Sequence, residues 1–386
     1  MHETAVRARE GQVRSHADLG AAASPPPGLG RRKLAAGSAA FLALTVAVFW
    51  YQFHLIQPGD AGPSWDRLRW AYLGLIVICL PVETVAASVR TWIVYRTLQP
   101  GVGLWTCVKA EWVNVAMNTL TPSHLGGGPG QIYIFNREGV GVGRALTASL
   151  LSFVGTMAGL LGLGLYSLIV PTTSTMRSLF EATVWTLIAL AAAMVLAAIW
   201  PGGLRVLVGR ASRGLRRWGL GPRTLHDWWP PDAERTGAPV ERVGRIAARL
   251  LDLVYTYRAD VARFFAAGKL SMVWVCLLGL AFLMARALLA YFCIRFLGIE
   301  ASSMRRILEV QVTLIFLIFF APTPGGAGLA EGASLALMAE IVPVGFAPYY
   351  NLLWRFSTVY VGTLAGIFVF GRALLQDAQH LIHHRR

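Results

Sequence analysis

Three charged residues lie where a chain in lipid carries charge only for a reason. Glu83, Arg90 and Arg286 each fall inside a long apolar run. A charge near the middle of a membrane helix costs about 2.5–3.5 kcal/mol on insertion scales, so such residues pair, or meet an ion or substrate. Arg286 occupies a later run at the place that matches Glu83 in its own, and a Glu83–Arg286 ion pair is the expectation. Arg90 is seven residues from Glu83 and shares its helical face. It either joins that pair or snorkels to the nearby end of its run. Glu331 and Arg355 form a second candidate pair. They follow a Pro/Gly-rich break, and Arg355 is about two turns into the last apolar run, too deep for easy escape to water.

The breaks are the other chemical feature. One is Gly126-Gly127-Gly128-Pro129-Gly130; the other is Pro322-Thr323-Pro324-Gly325-Gly326-Ala327-Gly328. The first has no Gly-Lys-Ser/Thr ending and no preceding strand, so it is not an ATP-binding loop. It could still present backbone amides to an anionic headgroup. No HExxH, GxSxG or acidic metal cluster occurs, so no catalytic residue, metal or cofactor is expected. Cys79, Cys107, Cys276 and Cys293 have neither zinc-ligand nor disulfide-framework spacing and read as plain thiols.

These residues must be positioned by membrane elements. Of 386 residues, 55% are hydrophobic and 14% charged, against about 25% charged in a soluble domain. This excludes a soluble enzyme, a disordered scaffold and a disulfide-rich secreted domain. The net charge of +15 sits in the gaps between apolar runs, which points to anionic membrane lipid rather than nucleic acid. Apolar runs of spanning length cover about 34–56, 70–95, 145–170, 180–200, 269–297 and 348–370. Two pairs of shorter segments, 104–120 with 129–136 and 304–320 with 329–342, surround the breaks. In lipid an open backbone group costs several kcal/mol, so such breaks belong in protein or beside a wet cavity. The expected fold is all-α and polytopic, with about six full transmembrane helices and two re-entrant hairpins. Residues 1–33 and 373–386 are basic tails around a membrane domain at 34–372. The stretch 201–268 is Arg-rich, with Val240, Val243, Ala247, Leu250, Val254, Val261 and Phe264 near helical spacing. It reads as an amphipathic helix, lying on the membrane or packed on the protein's cytoplasmic mouth. The loop charges put this stretch and both termini in the cytoplasm. Arginine far outnumbers lysine, which occurs only at Lys33, Lys109 and Lys269. That usage suits a GC-rich bacterial genome and an inner-membrane location.

The chain also repeats itself. Val154-Gly155-Thr156-Met157-Ala158-Gly159 returns as Val361-Gly362-Thr363-Leu364-Ala365-Gly366. A Pro/Gly break precedes each copy and a long run precedes each break, so span–hairpin–span occurs twice. The loop topology inverts the second copy, the arrangement of many transporters. Each word is also Gly-xxx-Gly, which lets helices approach closely; packing within the chain is expected over a dimer seam.

The words Leu120-Thr121-Pro122, Gly126 to Tyr133 and Arg137-Glu138-Gly139-Val140, then Pro322 to Glu331, then Arg355 with Tyr360 and Gly366, resemble the lysylphosphatidylglycerol synthase transmembrane family, also described as flippase-like. The resemblance spans roughly residues 35–372. Where many relatives carry an acidic residue after the first glycines, this chain has Gln131. The resemblance implies a polytopic bacterial inner-membrane protein that translocates a lipid or polyprenyl-linked substrate. Lysyl transfer is not expected, because only the tails and 201–268 lie outside the membrane segments. A substrate path would run past Gly126, Gly127, Gly128, Gly130, Gln131, Tyr133, Pro324, Gly325, Gly326, Gly328 and Glu331. Arg137, Arg144 and Arg355 would attract a phosphate. Two other readings remain at this stage: an accessory subunit or enzyme of lipid or polyprenyl glycosylation, and a small-solute secondary transporter.

Overall fold

The computed structural model describes residues 31–57, 62–121, 126–168, 256–300, 304–319 and 323–383, with isolated positions at 253, 321 and between 178 and 192. Among the described residues the chain is helical, with no strand. In order, the helices are α1 (Arg31–His54), α2 (Trp70–Leu98), α3 (Leu104–Leu120), α4 (Gly127–Arg137), α5 (Val142–Leu168) and α6 (Lys269–Phe296). They continue with α7 (Met304–Phe319), α8 (Leu329–Met338), α9 (Ala347–Arg355) and α10 (Val361–His383). A π-helical turn, Phe356–Tyr360, joins α9 to α10.

Among the described residues, four helices are long and apolar enough to cross a membrane: Trp70–Leu98, Val142–Gly162, Lys269–Phe296 and Val344–Asp377. The chain is a multi-pass membrane protein. At 1.5 Å per residue α2 is about 43 Å long, ample for a hydrocarbon core of about 30 Å. Val77, Ile78, Leu277, Leu364 and Phe368 are exposed on these helices; lipid is the solvent that makes such surfaces cheap. Of the six spans expected, the 180–200 run lies largely outside the described residues. α1 has the length, its last turn carries Tyr51, Gln52 and His54, and it is not among those four. Most of the 201–268 stretch also lies outside. Its described end, 256–266, is helical, and Phe264 is fully buried in the core beside α5. That part packs on the protein rather than lying free on lipid.

α2 and α6 make the most extensive helix contact, and α5 packs against both. Trp70, at the start of α2, meets Phe296, at the end of α6, with ring centroids 5.7 Å apart, so the two helices run antiparallel. Their crossing with α5 is made of glycine. A Cβ on Gly279 would overlap the Gly155 carbonyl, and one on Gly159 would lie 2.8 Å from Gly279 carbon. The second Gly-xxx-Gly word works the same way against α3: a Cβ on Gly366 would overlap the Trp112 carbonyl. Both words are used inside the chain.

The short helices form two hairpins. α3 packs on α4, and α7 on α8. α3 begins beside the end of α2, and α4 ends at Arg137, which pairs with Asp377 of α10. α7 begins at the opposite end, where Arg306 pairs with Glu340. The hairpins thus enter the bundle from opposite ends, and their tips meet. A Cβ on Gly325 would lie 3.1 Å from Thr119 Cγ2 and 2.9 Å from Phe41 of α1. The Thr363 hydroxyl on α10 donates to Thr119 Oγ1 at 3.0 Å.

Candidate functional site

Each charged pair expected from sequence is formed. Arg286 Nε lies 3.3 Å from Glu83 Oε1. A second donor, Arg286 Nη2, reaches the Thr358 carbonyl at 2.8 Å. That carbonyl belongs to the π-helical turn, whose altered hydrogen bonding frees an acceptor inside the bundle; such turns recur at functional sites. Arg90 points inward rather than snorkelling. It is 6% exposed, its Nη1 donates to Thr156 Oγ1 at 2.6 Å, and its guanidinium lies 5.6 Å from the Phe282 ring centroid. Arg286 lies 5.7 Å from the same ring, so the two cations share one aromatic face or edge. Glu111, on α3, is a fourth member, within electrostatic reach of Arg90, Arg286 and Glu83. The sequence reading passed over Glu111. Its signal was a carboxylate inside the apolar segment 104–120, disguised by Lys109 two residues earlier.

The second pair is sealed. Glu331 and Arg355 are 0% and 1% exposed, with Arg355 Nε 2.6 Å from Glu331 Oε1. Arg355 Nη2 also donates to the Gly325 carbonyl at 2.9 Å. The other carboxylate oxygen of Glu331 accepts the Gly328 amide at 2.7 Å, which caps the start of α8. Gly325, Gly326 and Gly328 have φ of +59°, +66° and +84°, the left-handed region that favours glycine. So Glu331 fastens the second half of the turn, and Arg355 fastens the first half to the end of α9; Pro324 precedes them. A polar extension continues to α1. Ser334 donates to Asn351 Oδ1 at 2.6 Å, Asn351 to Gln52 Oε1 at 3.2 Å, and Gln52 to the Glu331 carbonyl at 3.4 Å. This explains the polar end of α1: Gln52 is buried against protein.

The first break is built differently. The Gly126 amide donates to Thr121 Oγ1 at 2.8 Å and the Gly127 amide to Asn118 Oδ1 at 2.9 Å. Those amides are satisfied by α3 itself. Gly130 sits against Met117 and Val113, whereas the space beside Gly128 is open. Gln131 accepts from Ser149 Oγ at 2.8 Å and braces α4 on α5. Tyr133 donates its hydroxyl to Asp377. Arg137 pairs with the same carboxylate at 2.9 Å and with Gln376 at 3.1 Å. Arg144 donates to Gln99 at 3.2 Å and lies 3.9 Å from Asp260. Burial pushes the Asp260 carboxyl up, against the pull of Arg144 and Arg263. The arginines expected to await a phosphate, Arg137, Arg144 and Arg355, are therefore engaged within the chain.

Outside these clusters, an apolar groove of about 530 Å³ opens between α5 and α6, lined by Gly159, Phe265, Lys269, Met272, Cys276 and Leu280 among others. The four cysteines are free thiols. Among the described residues no group of His, Cys, Asp and Glu has the makings of a metal site.

Residues 38–366 match the family described as Lysylphosphatidylglycerol synthase TM region. No curated protein and no solved structure matches the chain.

Proposed function

The chain belongs to the lysylphosphatidylglycerol synthase TM family, and we propose that it acts as a flippase for a phospholipid or polyprenyl-linked lipid. The observation that carries this reading is the contact between the two hairpin tips at Thr119, Gly325 and Thr363. Two breaks that enter from opposite ends and meet at mid-bundle form a thin central barrier, as alternating access requires. The two halves form an inverted repeat, with both hairpins re-entrant in the membrane. Gly126, Gly127, Gly128 and Gly130 on one side, and Pro324, Gly325, Gly326 and Gly328 on the other, keep the path narrow and free of side chains. Gln131, Tyr133, Arg137, Arg144, Glu331 and Arg355 set the position of the two hairpins beside it.

Reconstitution tests this. Liposomes with the purified protein should make inner-leaflet fluorescent phosphatidylglycerol, or a fluorescent polyprenyl phosphate, accessible to an external quencher faster than protein-free liposomes do. No protein-dependent acceleration with any of these lipids overturns the reading.

Orientation follows from charge. Arg137, Arg144, Asp260 and Asp377 gather at one end of the bundle, and 201–269 carries 13 basic against 6 acidic residues. An Arg excess of this kind is retained on the cytoplasmic side of a bacterial inner membrane, together with both termini. In a variant with Cys79, Cys107, Cys276 and Cys293 replaced, Ser212→Cys should resist an impermeant maleimide in intact cells and react after lysis. Ready reaction in intact cells would reverse the orientation.

A further inference from the structure

We propose that the cluster of Glu83, Arg90, Glu111 and Arg286 is an intramembrane anion site that takes the phosphodiester of a lipid headgroup on Arg90 together with one proton on Glu111. The inference deepens the flippase reading by naming what the path recognises and what moves with it.

Arg90 is the reason to place the anion here. Its side chain is more than nine-tenths buried, yet Nε has no hydrogen-bond partner. One bond, to Thr156, is all that its fork of donors makes. Arg137 and Arg355, by contrast, are held by carboxylates and a carbonyl of the chain, and Arg144, whose Nε also lacks a hydrogen bond, has the Asp260 carboxylate 3.9 Å from that nitrogen. A guanidinium presents several donors in a fixed plane, matched to the oxygens of a phosphate. A buried fork with donors to spare is under-satisfied as it stands, and an arriving phosphodiester completes it. The bundle also makes room for that fork. Gly155 has no side chain, and a Cβ there would press Arg90 Cδ at 3.2 Å.

The proton follows from charge balance. With both carboxylates ionised, the cluster holds two negative and two positive charges and is neutral. A phosphodiester brings one negative charge, and an uncompensated charge in a low-dielectric interior is expensive. The least costly remedy is to neutralise a carboxylate already present, since neighbouring anions in one site do not both stay ionised. Glu83 is held by Arg286 at 3.3 Å. Glu111 has only the longer-range pull of Arg90 and Arg286, and the phosphodiester takes over the first of these. The charged groups within electrostatic reach of Glu111 from the packed elements are Glu83 and Arg90 on α2 and Arg286 on α6, with Cys107 one turn back on α3 itself. α4 and α10 turn Tyr133, Arg137 and Asp377 to the end of the bundle instead. The proton comes from solution as the anion enters and leaves when the anion leaves; no bond of the lipid changes.

The test reads binding and proton uptake together, without translocation. The full chain in phosphatidylcholine nanodiscs, weakly buffered near neutral pH with an indicator dye, is titrated with dihexanoylphosphatidylglycerol and separately with dimethyl phosphate. Neither probe titrates in this range. The wild type should take up about one proton per anion bound. Glu111→Gln should bind with uptake close to zero. Arg90→Gln should bind at least tenfold more weakly; where it does not fold, Arg90→Lys should bind several-fold more weakly at an unchanged melting temperature, because the planar fork is lost. Binding of dimethyl phosphate shows that the phosphodiester alone is read, and binding of the lipid alone shows that chains are needed too; both outcomes support the site. No binding by the wild type, unchanged uptake in Glu111→Gln, or full affinity in the Arg90 variants overturns it. Binding with uptake but no lipid movement in liposomes would defeat the flippase reading and leave the site standing.

Discussion

Glu331→Gln and Arg355→Gln should each cost about 3–5 kcal/mol, the range for leaving one partner of a buried ion pair alone. The expected readout is a large drop in thermal midpoint in detergent for each single variant. The double variant should recover much of the loss, because two neutral amides need no counter-charge and can bond each other. The geometry says what else should return. Both residues are buried, at 0% and 1% exposed, and their remaining bonds go to the Gly325 carbonyl and the Gly328 amide. Their work is therefore to hold the turn that forms one hairpin tip. Lipid movement should come back along with stability in the double variant. Additive single effects would show that the residues do not act as a pair, and a stable double variant without transport would place Arg355 in contact with substrate.

How much of this could be read from residues alone differs by element. The bounds of α2, α6 and the two hairpins were legible because the membrane imposes one requirement, satisfied backbone groups in apolar runs, and Pro/Gly words mark where it is broken. The Glu83–Arg286 and Glu331–Arg355 pairs were legible for a related reason, since charge in lipid demands a partner. The polar end of α1 was less so, because Gln52 makes sense only once Asn351 and Glu331 are beside it. The occupation of Arg137 and Arg144 was invisible: Asp377 is 240 residues away from Arg137 in sequence, and no local pattern announces it. Glu111 was hidden because a carboxylate near Lys109 looks like a hairpin surface, whereas Lys109 turns away to Glu138 at 3.3 Å. The π-helical turn at Phe356–Tyr360 has no sequence mark at all, although it supplies the carbonyl that Arg286 uses.

The largest effect from a single methyl group should come at Gly366 or Gly279. An alanine at either would drive its Cβ into a main-chain carbonyl, that of Trp112 on α3 or of Gly155 on α5. A backbone carbonyl cannot rotate aside as a side chain does, so the helices must separate and lose the close packing that small residues allow. Overpacking commonly costs 1–3 kcal/mol, and a backbone obstacle puts these two at or above about 3 kcal/mol. Gly362→Ala makes a useful comparison within the same word. Its Cβ would meet the Val115 side chain at 3.1 Å, which can shift by a few tenths of an ångström, so the loss there should be small. Gly332→Ala meets nothing within 4 Å and lies inside α8, where alanine should raise stability by about 0.5–1 kcal/mol. Thermal midpoints in one detergent should therefore fall in the order Gly332→Ala, wild type, Gly362→Ala, then Gly366→Ala and Gly279→Ala well below. If Gly366→Ala melts with the wild type, α10 does not rest on α3 at that residue. The support that holds Thr363 against the hairpin tip at Thr119 would then have to come from elsewhere.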